Sequence, residues 1–422
     1  MNKREFIRTL TLSGLALTAA GKSAGTAPVA PPAGPTPAVG SGGGDFWDEI
    51  RAAYRVNPAW INLENGYYCI LPQTTLDASI AHARELNFQG SYYLRTRQAE
   101  DKAAARKQLA EFAGCATEEL IITRNTTESL DTVISGLDWK AGDEAVMAAQ
   151  DYGSMLDMFA QQARRHGIVN RIVSLSNHPA SDEAIVELYE RAITPRTRLL
   201  MVCHLVNITG QILPVRKICA MAHQHGVPVM VDGAHSFAQL DFKIPDLGCD
   251  YFGTSLHKWL GAPLGSGLLH VRKDRVKSLW PLLGDNGYPE YDIRKLNHIG
   301  TNPVHTELSI ADALAFHQRI GSARKEARLR FLQEYWTRQV RDTKGITLNT
   351  PDESSRACAI ANVGVDRLAP AELAAALLER YKIWTVAIDA PQAGVRGVRI
   401  TPNLFTTTAE LDRLVRALKE LA

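Results

Sequence analysis

The chain has 422 residues, 45% of them hydrophobic, enough to bury a large core and to build more than one domain. Lys+Arg 47 against Asp+Glu 45 leaves a formal charge of +2, which excludes the basic footprint of a nucleic-acid-binding protein. No apolar stretch reaches the ~20 residues needed to span a bilayer. The six cysteines (Cys69, Cys115, Cys203, Cys219, Cys249, Cys358) are scattered without a Cys-x-x-Cys pair, which favours buried thiols over a disulfide framework or a metal site.

Residues 1–44 read as an export signal followed by a linker. Met1 to Arg8 is basic, Leu10 to Gly21 is apolar, and a Pro/Gly/Ala/Ser tract continues to Gly44. Lys3-Arg4-Glu5-Phe6-Ile7 is similar to the twin-arginine signal, with Lys in place of the first Arg. The expectation is a periplasmic or otherwise exported protein, with a cytoplasmic one as the alternative. Residues 45–60 are expected to join a smaller C-terminal domain.

From Trp60 onward short β-rich runs alternate with amphipathic segments. Strands are predicted at Leu120–Thr123, Glu144–Ala148, Leu199–Cys203 and Val227–Val231, and a helix at Val215–Gly226. This alternation predicts an α/β domain over residues 61–308 with a mainly parallel sheet and ligands at the strand C-termini. Arg124-Asn125-Thr126-Thr127-Glu128-Ser129 follows a strand and opens a helix over Leu130–Gly136, with Thr or Ser as the cap. Its backbone N–H groups and hydroxyls make an anion seat. His223 and His225 crowd a helix C-terminus and read as solvated histidines, not metal ligands. The run Val229-Met230-Val231-Asp232 is a buried strand that delivers a carboxylate to its tip, and Ser255-Leu256-His257-Lys258 forms a second polar tip. Gly261-Ala262-Pro263-Leu264-Gly265-Ser266-Gly267 precedes the strand-like Leu268–Val271, so it is not a dinucleotide-binding turn. Residues 309–422 turn helical and then give strand-like runs at Ala359–Val365 and Ile383–Ile388, a smaller C-terminal α+β domain.

The Lys258 and Asp232 tips together match what pyridoxal 5′-phosphate requires. An amine forms the Schiff base, and a carboxylate keeps the pyridine nitrogen protonated so that the ring acts as an electron sink.

With these residues in view, the chain resembles the class V aminotransferase family of fold-type I pyridoxal 5′-phosphate enzymes, and within it the isopenicillin N epimerase branch. The resemblance covers roughly residues 45 to 422. It rests on Val231-Asp232-Gly233-Ala234-His235, on Ser255-Leu256-His257-Lys258, and on Val398-Arg399-Ile400-Thr401-Pro402 followed by Thr406-Thr407-Thr408-Ala409-Glu410. It implies that Thr126, Thr127, Ser255 and His257 face the cofactor phosphate, and that Tyr152 stacks on the ring. Asn207 and His235 are implied near the phenolic oxygen. Thr301 is implied to reach in from a second subunit of a homodimer with shared active sites. Arg399 is implied to grip the substrate α-carboxylate, and Asn65, Gly66, Tyr67 and Tyr68 to line the substrate side.

The implied activity is proton removal from Cα of an amino-acid or peptide-like small molecule by Lys258. Reprotonation on the opposite face of Cα gives epimerisation, and protonation on the cofactor gives transamination. A β-eliminating lyase and a non-catalytic cofactor-binding protein are the alternatives. Cysteine desulfuration is disfavoured, because the related enzymes need a mobile thiol on a small-domain loop. Here that loop is Asp389-Ala390-Pro391-Gln392-Ala393-Gly394, and no cysteine follows Cys358.

Overall fold

A computed structural model describes residues 46–422. The leader and linker read from residues 1–44, and the export expectation with them, lie outside the described residues.

The central feature is a seven-stranded sheet. Its members are β2 (Leu120–Thr123), β3 (Glu144–Ala148), β4 (Val169–Val173), β5 (Thr197–Cys203), β6 (Val229–Asp232), β7 (Tyr251–Ser255) and β8 (Gly267–Val271), which follow β1 (Ile61–Asn62) in the chain. The spatial order is β2-β8-β7-β6-β5-β3-β4. Neighbours from β4 to β7 are parallel, and β8 runs antiparallel to both β7 and β2. The inner strands are buried along their length except at Arg198 near the start of β5, because successive side chains enter different cores. Val146, Ala148, Leu200, Val202, Val229 and Val231 join one buried cluster. Ala145, Met147, Leu199, Met201 and Met230 join a second on the other face. Helices therefore cover both faces, and the polar strand ends are left for chemistry.

A second, antiparallel sheet has the order β12-β13-β10-β9, built from β9 (Ile346–Leu348), β10 (Ala361–Val365), β12 (Val386–Ala390) and β13 (Val395–Ile400). The short β11 (Ile383–Trp384) pairs in parallel with β1. Helices Pro370–Tyr381 and Thr408–Leu421 supply Leu373, Leu377, Leu411, Leu414 and Leu418 to this layer's own core.

The junctions differ from the sequence expectation at both ends. Ile50, in the helix Phe46–Ala52, is fully buried in the core of the large sheet, whereas Ile61 and Leu63 enter the core of the small one. Residues 46–54 thus pack on the larger layer, and the link to the smaller layer begins at β1. At the other end, the helix Val304–Ile320 gives Ile310, Leu314 and Ile320 to the large-sheet core, and so does Leu329 of the next helix, Ser322–Val340. Leu332, Trp336 and Val340 of that same helix enter the small core. One helix is therefore shared by both cores. A heptad-like apolar stripe does not reveal which partner it packs against.

His223 and His225 pair with Asp250 at 2.8 Å and with Glu190 at 3.0 Å. Five of the six cysteines are buried, and all six are unpaired.

Candidate active site

The C-terminal ends of β2, β3, β5, β6 and β7 open into a cavity of about 350 Å³. A pocket at the carboxyl ends of parallel strands is where this architecture places ligands.

One wall is the start of the helix Thr126–Gly136. Asn125, not Thr or Ser, caps it: its side-chain oxygen accepts from the Glu128 N–H at 2.9 Å, and the helix begins four residues earlier than the sequence suggested. That leaves Thr126 and Thr127 in the first turn, lining the cavity. The Thr126 N–H donates to Ser255 Oγ at 2.9 Å, and the two hydroxyls share a 2.7 Å hydrogen bond. Ser255 is the last residue of β7, so β7 and the helix start build one polar cup with His257 beside it. Burial lowers the His257 pKa to about 4, aided by the Lys258 charge, so its ring is neutral. Its Nδ1 is buried without a protein partner. A donor-rich cup at a helix start with an unpartnered imidazole nitrogen is chemically suited to a phosphate.

The opposite wall carries the titratable groups. Asp232 ends β6, only 3% exposed, and its Oδ1 accepts from the Ala234 N–H at 2.9 Å. Burial raises its pKa, while that hydrogen bond and the Lys258 charge act against the rise. Gly233 is required next: a Cβ there would lie 2.0 Å from the Phe252 ring, which packs against the turn that aims Asp232. Lys258 Nζ lies 3.1 Å from His235 Nε2, and burial lowers the Lys258 pKa to about 8 despite the opposing pull of Asp232. Arg399, on β13, donates from Nη2 and Nε to the two oxygens of Glu64 at 2.6 and 3.3 Å, and from Nη1 to the Asn207 carbonyl at 3.3 Å. Its guanidinium lies flat on the backbone at Gly66, where a Cβ would come within 2.7 Å of Cζ.

Thr126, Thr127, Tyr152, Asn207, Asp232, His235, Ser255, His257, Lys258 and Arg399 all line this cavity. Gly66 and Tyr67 line it as well, whereas three expected residues, Tyr68, Asn65 and Thr301, do not. Asn65 is fully buried, and its amide donates to the Thr401 carbonyl at 2.7 Å while its backbone N–H donates to Thr401 Oγ1 at 2.6 Å. It ties the strand leaving β1 to the end of β13 and holds the substrate wall in place without facing it. Thr301 is exposed and lies outside the cavity of its own chain. The sequence reading also missed residues that line the cavity. Cys203 was taken for a plain core thiol, and Leu264 and Gly265 belong to the Gly-rich turn set aside as a dinucleotide motif. The proximity of that turn to Lys258 in the chain was the available signal.

Residues 70–406 match the family model "Aminotransferase class-V". The chain belongs to the class V aminotransferase family. Within the family it is 30% identical to the isopenicillin N epimerases of Streptomyces clavuligerus and Amycolatopsis lactamdurans, in each case over 89% of this chain and 98% of the relative. It is 26% identical to the cysteine desulfurase of Haloferax volcanii over 85% of this chain and 88% of the relative. Among solved structures, the apo cysteine desulfurase of Thermococcus onnurineus shares the fold, with a TM-score of 0.79 at 22% identity over 89% of this chain and 97% of that one. The cystine C–S lyase C-DES, solved with its product cysteine persulfide, gives 0.76 at 25% identity over 87% of this chain and 98% of that one.

As a member of the class V family the protein is an enzyme that uses pyridoxal 5′-phosphate. The cup at Thr126 and Ser255, the orphaned His257 Nδ1, the buried Asp232 carboxyl and the Lys258 amine are the donor and acceptor set that this cofactor needs.

Proposed function

We propose that the enzyme breaks the Cα–H bond of an amino acid or an amino-acid-derived, peptide-like small molecule, with an epimerase-like or aminotransferase-like outcome. The observation that carries this reading is the Lys258 amine, buried and lowered to about 8, in one cavity with the Asp232 carboxyl and the Arg399 guanidinium. Bound pyridoxal 5′-phosphate supplies an aldehyde for amines and a ring that stores the electron pair of a broken Cα bond. Lys258 would anchor the cofactor through its amine, and the same Nζ, when free, would take the Cα proton. Asp232, buried away from competing water, would keep the pyridine nitrogen protonated. Thr126, Thr127, Ser255 and His257 would hold the cofactor phosphate, and Tyr152, in the same cavity, offers an aromatic ring for stacking.

Arg399 takes the α-carboxylate. Its contacts to Glu64 and Asn207 use one N–H on each guanidinium nitrogen. The terminal nitrogens keep one N–H each, a fork for a bidentate carboxylate.

A β-eliminating lyase is the second reading, favoured by the likeness to the C–S lyase. Against thiolate-based sulfur transfer stand two features. Cys203, the cysteine that lines the cavity, has its pKa pushed well up by burial and by the Asp232 charge, so it is a thiol. The loop between β12 and β13 is a short turn whose Ala393 carbonyl accepts from Gln150 at 3.0 Å, tying it down.

We also propose a homodimer, which would allow Thr301 of one copy to reach the other's site, and export by the N-terminal leader. Sedimentation, cell fractionation and sequencing of the mature N-terminus test these.

Incubation with amino acids and small peptides in deuterated water tests the reaction. Deuterium at Cα with loss of optical purity means epimerisation, and a keto product means transamination. Sulfide or persulfide release would replace both with the lyase. Unchanged substrates across the panel would overturn the proposed Cα chemistry.

A further inference from the structure

The lysine tip contains a hydrogen-bond chain that the reading above does not use. Trp259 Nε1 donates to His235 Nδ1 at 3.2 Å, and His235 Nε2 faces Lys258 Nζ at 3.1 Å. An indole N–H donates and never accepts. His235 Nδ1 must therefore carry the lone pair, and the neutral ring keeps its proton on Nε2. That proton points at Lys258, whose nitrogen can accept it only as an unprotonated amine. We propose that Trp259 is a positioning residue that fixes the His235 tautomer and thereby holds Lys258 as the free amine, the form that takes up an aldehyde. Uptake forms one C=N bond and releases one water.

The surroundings agree with this. Trp259 is 2% exposed in the core of the large sheet, and the buried Lys325 ammonium donates to its backbone carbonyl, so the residue is held at its backbone as well as by burial of its ring. His235 is 4% exposed. Burial above all, with the Arg399 guanidinium adding to it, pushes its pKa well down, so the imidazolium that would break the chain is disfavoured. Burial opposes the Lys258 charge most, Asp232 favours it, and Arg399 opposes it. Neither side chain can supply the tautomer control, because neither touches His235 Nδ1.

Two measurements test this proposal, which rests on Lys258 being the residue that takes up the cofactor. In the first, apoprotein is mixed with pyridoxal 5′-phosphate and the rate of uptake is followed by absorbance across pH. In Trp259→Phe the His235 ring is free to turn its acceptor toward an ammonium. The midpoint of the rate profile should then rise by about one pH unit, with uptake near neutrality about 10-fold slower. A merely structural role for Trp259 would alter the amplitude and leave the midpoint in place, and that result overturns the proposal. The second measurement uses the wild-type apoprotein, so it stands even if the variant does not fold. Imidazole ¹⁵N shifts, assigned with His235→Gln, should show the Nε2–H tautomer at His235; an Nδ1–H tautomer or an imidazolium at neutral pH contradicts the proposal. Loss of uptake in Lys258→Ala is required by the reading beneath it. Retained uptake there would sink that reading, whereas an unmoved Trp259→Phe midpoint sinks this inference alone.

Discussion

The two ends of the seven-stranded sheet treat buried carboxylates in opposite ways. At the N-terminal ends, Glu144 opens β3 fully buried, held by Arg171 at 2.5 Å, Arg196 at 2.8 Å and the Thr194 hydroxyl at 2.6 Å, and its pKa falls to about 2, chiefly through Arg171. Asp250, just before β7, is likewise buried and meets Arg272, Arg275, His223 and the Val229 N–H. At the C-terminal ends, Asp232 and Asp151 are nearly as buried and have no arginine partner among the described contacts. Burial raises both, Asp151 to about 8, with the Asp232 charge adding to the Asp151 rise after its hydrogen bond to the Ala148 N–H has opposed it. Burial alone does not set the charge of a carboxylate; its partners do. One edge is saturated and serves stability. The other is left short of partners, and a cationic cofactor ring can complete it.

This contrast can be broken from either edge. Lys258→Ala should give the largest effect, a loss of ~10²–10⁴-fold in Cα–H exchange with solvent, measured by mass spectrometry on the substrate. Asp232→Asn removes a buried charge-assisted hydrogen bond worth about 1.5–3 kcal/mol, so exchange should slow by about 10- to 10²-fold while the fold is kept. Circular dichroism and steady-state rates separate the two. Arg399→Lys keeps the charge and loses the fork, so KM for a carboxylate substrate should rise by roughly 10-fold with less change in kcat. At the other edge, Glu144→Gln should leave cofactor uptake unchanged and lower Tm by roughly 2–5 °C, a modest fall because its arginine partners are partly exposed. The sign with pH follows from the lowered pKa. The Glu144 contribution is complete above the ordinary carboxylate value near 4.5 and fades as pH falls towards 2, so the Tm gap between wild type and Glu144→Gln should close in acid.

Much of the site was legible because its parts are local. An acid at the end of an apolar run, as at Asp232, and a Ser-x-His-Lys tip announce strand ends that carry chemistry, and Thr126 and Thr127 come within four residues of the end of a strand. What the sequence did not reveal depends on contacts between distant segments. Asn65 binds Thr401, Glu64 binds Arg399, and the helix Ser322–Val340 divides its apolar side chains between two cores. No periodicity encodes the partner of a side chain. Asn125 was a different kind of miss, since Asn is as good a cap as Ser or Thr and stood one residue earlier.

The central claim is that Lys258 holds the cofactor. Borohydride reduction of the cofactor-loaded enzyme, followed by peptide mass mapping, reads this directly. The pyridoxyl mass should sit on Lys258 alone. Lys325 is the pertinent control, because burial lowers its pKa to about 8 as well, yet its amine is spent on the Trp259 carbonyl and does not line the cavity. A label on Lys325, or no covalent label in a protein that still turns over substrate, would contradict the account.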